Sequence, residues 1–224
     1  VDWIGTRSST LRYGRVAGRA VELLRRHRVH LGRILGRGRY AEVHSIEGQP
    51  DLVVKISGDL TEAAAWAYLL EMIDAGELSW SDLPALPRVR CVMVVEPRSK
   101  ADKPLYVIIM DRCWPLPHSE REMVERIDEV LLDARGESRS GLSAPYTVEK
   151  EIQKVVRRFS SVRQGAEHAK RLVETLQTTA GNSLYIFDIH AENVMRDAAG
   201  QWKITDLGMT ESCCPVTVPV LDGP

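Results

Sequence analysis

Strands come first in this chain and helices after, and that order limits the fold more than any other feature. Ile34-Leu35 and Val43-His44-Ser45-Ile46 flank a glycine-bearing loop and read as a hairpin. Glu47-Gly48-Gln49-Pro50-Asp51 is turn chemistry, and Leu52-Val53-Val54-Lys55-Ile56 reads as a buried strand. Thr61 to Ile73, rich in alanine and leucine, reads as a helix. Val89 to Val95 and Leu105 to Met110 are two more apolar strands. By residue 112 the expectation is therefore five strands and one helix. A proline-marked joint, Asp111 to Pro117, follows.

Beyond the joint the period becomes helical. Ser119 with Glu122 three positions on reads as a capping box, ahead of an apolar stripe through Met123, Ile127, Val130, Leu131 and Ala134. Glu137 to Pro145 is a polar link. Thr147 opens a second helix with Ile152, Val155, Val156 and Phe159, and Gly165 to Thr179 a third. Two short strands, Leu184 to Phe187 and Trp202 to Thr205, come last. The pattern predicts an α+β protein of two lobes. Its parts are a basic helical extension over residues 1–30, a five-stranded lobe with one helix over 31–112, and a reduced, mainly helical lobe over 113–224.

Composition narrows the class. Hydrophobic residues make up 44% and charged residues 27% of the 224, an ordinary globular balance. No apolar run reaches the roughly 18 residues of a membrane span, and Val1-Asp2-Trp3 does not open a signal peptide. Cys91, Cys113, Cys213 and Cys214 lack zinc-type spacing, so a reducing, cytoplasmic setting is expected, with Cys91 and Cys113 as small core residues. The net charge of −1 hides an asymmetry. Residues 1–40 carry ten arginines and two acids, so this stretch is +8 and the remainder −9. Aromatic residues are sparse there, so a docked or solvated helix, Leu11 to Val29 with Val16, Ala20, Leu23 and Leu24 on one stripe, is favoured over a nucleic-acid contact.

The residues with chemistry lie at both ends of the chain. In Leu35-Gly36-Arg37-Gly38-Arg39-Tyr40-Ala41-Glu42-Val43, Gly36 and Gly38 would let backbone approach phosphate oxygens in conformations closed to other residues. A dinucleotide site would need a helix straight after the glycines, and a strand follows instead. Tyr40 suits the phosphate-capping tip and Val43 an adenine cover. Lys55 stands inside an apolar strand, where an ammonium needs a partner. At about 100° per residue, Glu62 shares the apolar face of its helix with Trp66, Leu69 and Ile73, whereas Glu71 lies about 180° away. Glu62 is therefore the expected partner. Near the other end, Phe187-Asp188-Ile189-His190-Ala191-Glu192-Asn193 precedes Asp206-Leu207-Gly208. Phosphoryl transfer needs a carboxylate at the acceptor hydroxyl, which suits Asp188, and oxygen ligands for Mg²⁺, which suits Asn193 and Asp206.

Taken together, the runs Leu35 to Val43, Val53 to Lys55, Asp188 to Asn193 and Asp206 to Gly208 resemble the protein-kinase-like superfamily, in its order, over residues 35 to 208. Within it, the chain is most similar to the short early serine/threonine kinases of podophages of the autographivirus type. The resemblance implies a two-lobed kinase fold that uses ATP and Mg²⁺. It makes Lys55 the phosphate lysine, Glu62 its ion-pair partner, Asp188 the catalytic base, and Asn193 and Asp206 the metal ligands. His190 stands where serine/threonine kinases usually place lysine near the transferred phosphate. Nucleotide contacts are expected from Gly36, Gly38, Tyr40, Val43, Val53, Lys55, Met110 and Asp111. Host proteins in a bacterial cytoplasm would be the substrates.

The sequence also departs from the family. Ile186 and Phe187 replace the His-Arg that precedes the aspartate, which removes the basic pocket for a phosphorylated activation loop. Only sixteen residues follow Gly208, too few for the usual peptide platform. Two other functions use the same scaffold: a small-molecule phosphotransferase of the antibiotic type, and a non-catalytic pseudokinase that grips a host protein.

Overall fold

Gly48, in the left-handed region at φ +73°, and Glu47 alone form the turn that the sequence spreads over five residues. The following strand thus starts early, at Gln49. The computed structural model describes residues 18–38, 40–96, 103–134, 165–181, 184–185 and 191–209. Five strands, β1 (Leu31–Arg37), β2 (Ala41–Ile46), β3 (Gln49–Ser57), β4 (Val89–Val95) and β5 (Leu105–Asp111), form one antiparallel sheet in the order β1-β2-β3-β5-β4. The protein is α+β. Helix α1 is described over residues 18–26 and helix α2 spans Leu60–Asp74.

The chain divides into two units, one running to Glu71 and resuming over Val89–Arg112, the other taking Met72–Arg88 and resuming at Cys113. In the first, strand alternation separates two faces. Ile46, Val54, Ile56, Met93, Val95, Leu105, Val107 and Ile109 form one core cluster, and Ala20 and Leu24 of α1 are buried in it. At about 25 cal/mol per Å² of apolar surface removed from water, that stripe is what holds the basic helix in place. The helix is docked on its own sheet, and its arginines lie outside the core. It ends with Val29 N–H bonded to Leu24 O (2.8 Å) and Arg28 N–H to Arg25 O (2.9 Å), with Arg28 at φ 59°, a place glycine usually fills. Cys91 only flanks the core, half-buried, and Cys113 is also half-buried. Neither is the fully interior residue expected. Burial nevertheless pushes the Cys91 thiol up, against a lowering hydrogen bond with the Ile109 backbone.

In the second unit, α3 (His118–Ala134) and α4 (Gly165–Gly181) accompany two small sheets. Strands β7 (Leu184–Tyr185) and β10 (Gly208–Met209) pair, and β6 (Trp114–Pro115), β8 (Val194–Arg196) and β9 (Trp202–Ile204) form a three-stranded sheet in the order β6-β8-β9. Helix α3 starts one residue before Ser119. Pro117 O accepts from Glu120 N–H (3.0 Å) and Arg121 N–H (3.1 Å), so Pro117 caps the helix and the expected Ser119–Glu122 capping box is displaced. The proline-marked joint contains β6. Among the described residues, no helix is long and apolar enough to cross a membrane. The link over 137–145, the helix from Thr147, and Cys213 and Cys214 lie outside the described residues.

Candidate functional site

The sheet face opposite α1 carries four of the eight nucleotide residues read from sequence. Val43 pairs with Lys55, Lys55 with Ile108, and Val53 with Met110. Since Val53 and Lys55 are two apart on one strand, Val43, Val53, Lys55 and Met110 all project to one side. Val53 and Met110 are buried and Val43 half-buried. Asp111 does not join them. It follows Met110 and so faces the other way, and its Oδ1 accepts from Arg90 Nη2 at 2.9 Å. Its carboxylate is therefore not part of the Lys55 face.

Lys55 Nζ forms an ion pair with Glu62 Oε1, and both side chains are largely buried, 12% and 5% exposed. This is the carboxylate that helical geometry favours over Glu71, which is exposed. Local capping explains how Glu62 becomes available. Asp59 Oδ1 accepts from Thr61 N–H (2.8 Å) and Glu62 N–H (3.4 Å), so Asp59 caps α2 and Glu62 occupies the third helical position. A glutamate there commonly folds back to the cap's own N–H. Here Ser57 Oγ takes that N–H (3.1 Å) and donates its proton to Glu62 Oε2 (3.1 Å). Ser57, fully buried, thus turns the carboxylate toward Lys55. Sequence reasoning passed over Ser57 because Ser57-Gly58-Asp59 looks like plain turn chemistry.

The glycine loop is a tight hairpin end. Gly36 pairs with Val43 and Arg37 with Glu42, Gly38 N–H bonds to Ala41 O (2.8 Å), and Tyr40 is exposed at the tip with its carbonyl accepting from Gly58 N–H (2.8 Å). Arg37 Nε pairs with Glu42 Oε1 at 3.1 Å. Neither Gly36 nor Gly38 has positive φ, so the expectation of conformations closed to other residues is not met. Among the described residues, a Cβ built on Gly36 would meet nothing within 4 Å, and one on Gly38 only Ala41 O at 3.8 Å. None of those residues requires glycine at these two places. Gly32 is different: a Cβ there would lie 2.5 Å from Ser45 Oγ.

In the second unit, the β8–β9 hairpin explains the spacing of Asn193 and Asp206. Val194 pairs with Ile204, so Asn193 and Thr205 are the next positions outward. Thr205 N–H (2.8 Å) and Thr205 Oγ1–H (3.1 Å) both donate to Asn193 O. Asp206 follows directly, and both Asn193 and Asp206 are half-buried. Thirteen residues of sequence thereby collapse to neighbouring positions at one end of a hairpin. Asn193 and Asp206 offer one amide oxygen and one carboxylate. Among the described residues, no group of three or more His, Cys, Asp or Glu side chains gathers. Two hard oxygen donors fit Mg²⁺, which takes one or two carboxylates and completes its shell with phosphate and water oxygens. Asp188 and His190 lie outside the described residues.

Behind the hairpin sits a buried polar group that sequence reasoning missed. Glu120 of α3 is 4% exposed and accepts from Arg196 of β8 and Trp202 of β9. The His168 ring stacks on Trp202 with centroids 5.4 Å apart. Burial lowers the His168 pKa. The charges around it divide, with Glu120 and Glu167 raising it and Arg196 and Arg171 lowering it. A histidine held neutral contributes stability that is full above its unfolded pKa, near 6.5, and is lost as pH falls below it. Thermal melting from about pH 7.5 to about pH 5.5 should therefore show a steeper loss in wild type than in His168→Phe, which keeps the stacked ring. Parallel slopes would show that His168 does not contribute.

No family model and no curated protein matches this chain.

Proposed function

We propose that this protein is an ATP- and Mg²⁺-dependent phosphotransferase of the protein-kinase-like superfamily, acting on serine or threonine of proteins. The observation that carries the reading is the buried Lys55–Glu62 pair, on the same sheet face as Val43, Val53 and Met110. An ion pair this buried contributes little net stability compared with apolar residues of similar volume. Its presence suits a lysine that must stay charged and aimed at phosphate. The apolar side chains around it suit a purine.

The roles follow. Lys55 holds the α- and β-phosphates, Glu62 holds Lys55, and Ser57 holds Glu62. The backbone near Gly36 and Gly38, bare of side chains, covers the phosphates. Asn193 and Asp206 would hold Mg²⁺, which neutralises phosphate charge when bound. Asp188 accepts the proton of the acceptor hydroxyl. The resemblance to podophage kinases makes proteins of a bacterial host the acceptors.

The test is incubation of the full chain with labelled ATP, Mg²⁺ and a bacterial lysate, beside Lys55→Ala and Asp206→Ala. Label on many proteins, absent in both variants, supports the reading. Label confined to small solutes points to a small-molecule kinase. Nucleotide binding without any transfer points to a non-catalytic binder.

A further inference from the structure

We propose that Glu120 is a positioning residue for the metal-binding end of the β8–β9 hairpin. The proposal rests on the reading of Asn193 and Asp206 as Mg²⁺ ligands. The hairpin has three paired positions, Val194 with Ile204, Met195 with Lys203 and Arg196 with Trp202. Strand β6 adds only two further pairs on the β8 side, Trp114 with Arg196 and Pro115 with Met195, and a ladder of this size is at best marginally stable alone. Its geometry must come from what grips it.

At the outer end, Ile204 N–H bonds to Ala85 O (2.7 Å) and Ala85 N–H to Thr175 Oγ1 (2.9 Å), tying β9 to α4. At the inner end, one carboxylate grips both strands. Glu120 Oε2 accepts from Arg196 Nε and from Trp202 Nε1, each at 2.8 Å, and Glu120 Oε1 accepts from Arg196 Nη2. Arg196 and Trp202 are register partners. Glu120, from the first turn of α3, therefore braces the β8 and β9 positions of one rung, whose β6 position is Trp114. A glutamate in a first turn often does no more than complement the helix dipole from the surface. This one is buried and takes three donors, so its geometry is fixed on every side.

Asn193 lies three residues from Arg196, about 10 Å along the strand. Glu120 thus acts on the ligands through the rung it braces. Groups that orient metal ligands from behind typically cost 10–100-fold in metal affinity when altered. Glu120→Gln keeps the shape and removes the charge that holds the Arg196 fork.

The experiment uses the full chain and a fluorescent ATP analogue, titrated with Mg²⁺. Glu120→Gln should raise the Mg²⁺ concentration for half-maximal binding about 10- to 100-fold and leave metal-free binding of the analogue unchanged. A second readout needs no metal or nucleotide: hydrogen exchange at the Ile204 and Thr205 amides should quicken. An unchanged Mg²⁺ midpoint with unchanged exchange would overturn the proposal. So would a parallel fall of metal-free and metal-dependent binding, which marks a merely structural role. If Glu120→Gln does not fold, Arg196→Lys and Trp202→Phe carry the same two readouts. Failure of the underlying reading looks different: faster exchange in Glu120→Gln, but an Asp206→Asn midpoint equal to wild type. That result removes the metal site and the proposal with it.

Discussion

Lys55→Ala should abolish labelled-phosphate transfer and also destabilise the protein by about 3–5 kcal/mol. The two losses have different causes. The stability loss comes from Glu62, a buried carboxylate from which the substitution removes the paired ammonium. The loss of transfer, about a hundredfold or more, comes from the missing charge at the phosphates. A double variant separates them. Lys55→Met/Glu62→Leu replaces the pair with apolar groups of similar volume, which often restores stability. Denaturant titration should show that variant close to wild type while transfer stays at background. If the double variant transferred phosphate, Lys55 would not have the role assigned to it.

Asp206→Ala should lower transfer by at least about a hundredfold, the usual cost of losing a preorganised charge in a reaction of this kind. Its effect on stability should be small beside that of Lys55→Ala, because Asp206 is half-buried at the end of a hairpin and not at the centre of a core. Asn193→Ala offers a parallel. The hydrogen bonds that close the hairpin there run to the Asn193 main-chain oxygen, so truncating the side chain leaves the closure in place. Both variants should melt near wild type and differ from it in the rate of labelled-phosphate transfer measured against Mg²⁺ concentration. Wild-type rates in Asp206→Ala would remove it from the chemistry.

What the sequence revealed follows from which interactions are local. The five sheet strands were legible because alternation and apolar runs are properties of consecutive residues, six to nine in these strands. Glu62 was separable from Glu71 because helical phase needs only the distance between them along the chain. Strands β6 and β8 were not legible. Trp114–Pro115 and Val194–Arg196 are too short for any period, and pairing between distant segments defines them. Ser57 and Glu120 were hidden for a related reason. A serine before a glycine looks like a turn and a glutamate in a first turn looks solvated, and only tertiary packing buries them. The facing of Asp111 was not read from the sequence. Strand alternation after Met110 turns its carboxylate toward Arg90, away from the Lys55 face.

Equilibrium binding of ATP to the full chain, followed by calorimetry with and without Mg²⁺, bears most directly on the whole account. The expected result is one nucleotide per chain, tightened by Mg²⁺ and lost in the folded Lys55→Met/Glu62→Leu variant. Folded wild-type protein that gives no binding heat with ATP, in either condition, would contradict it.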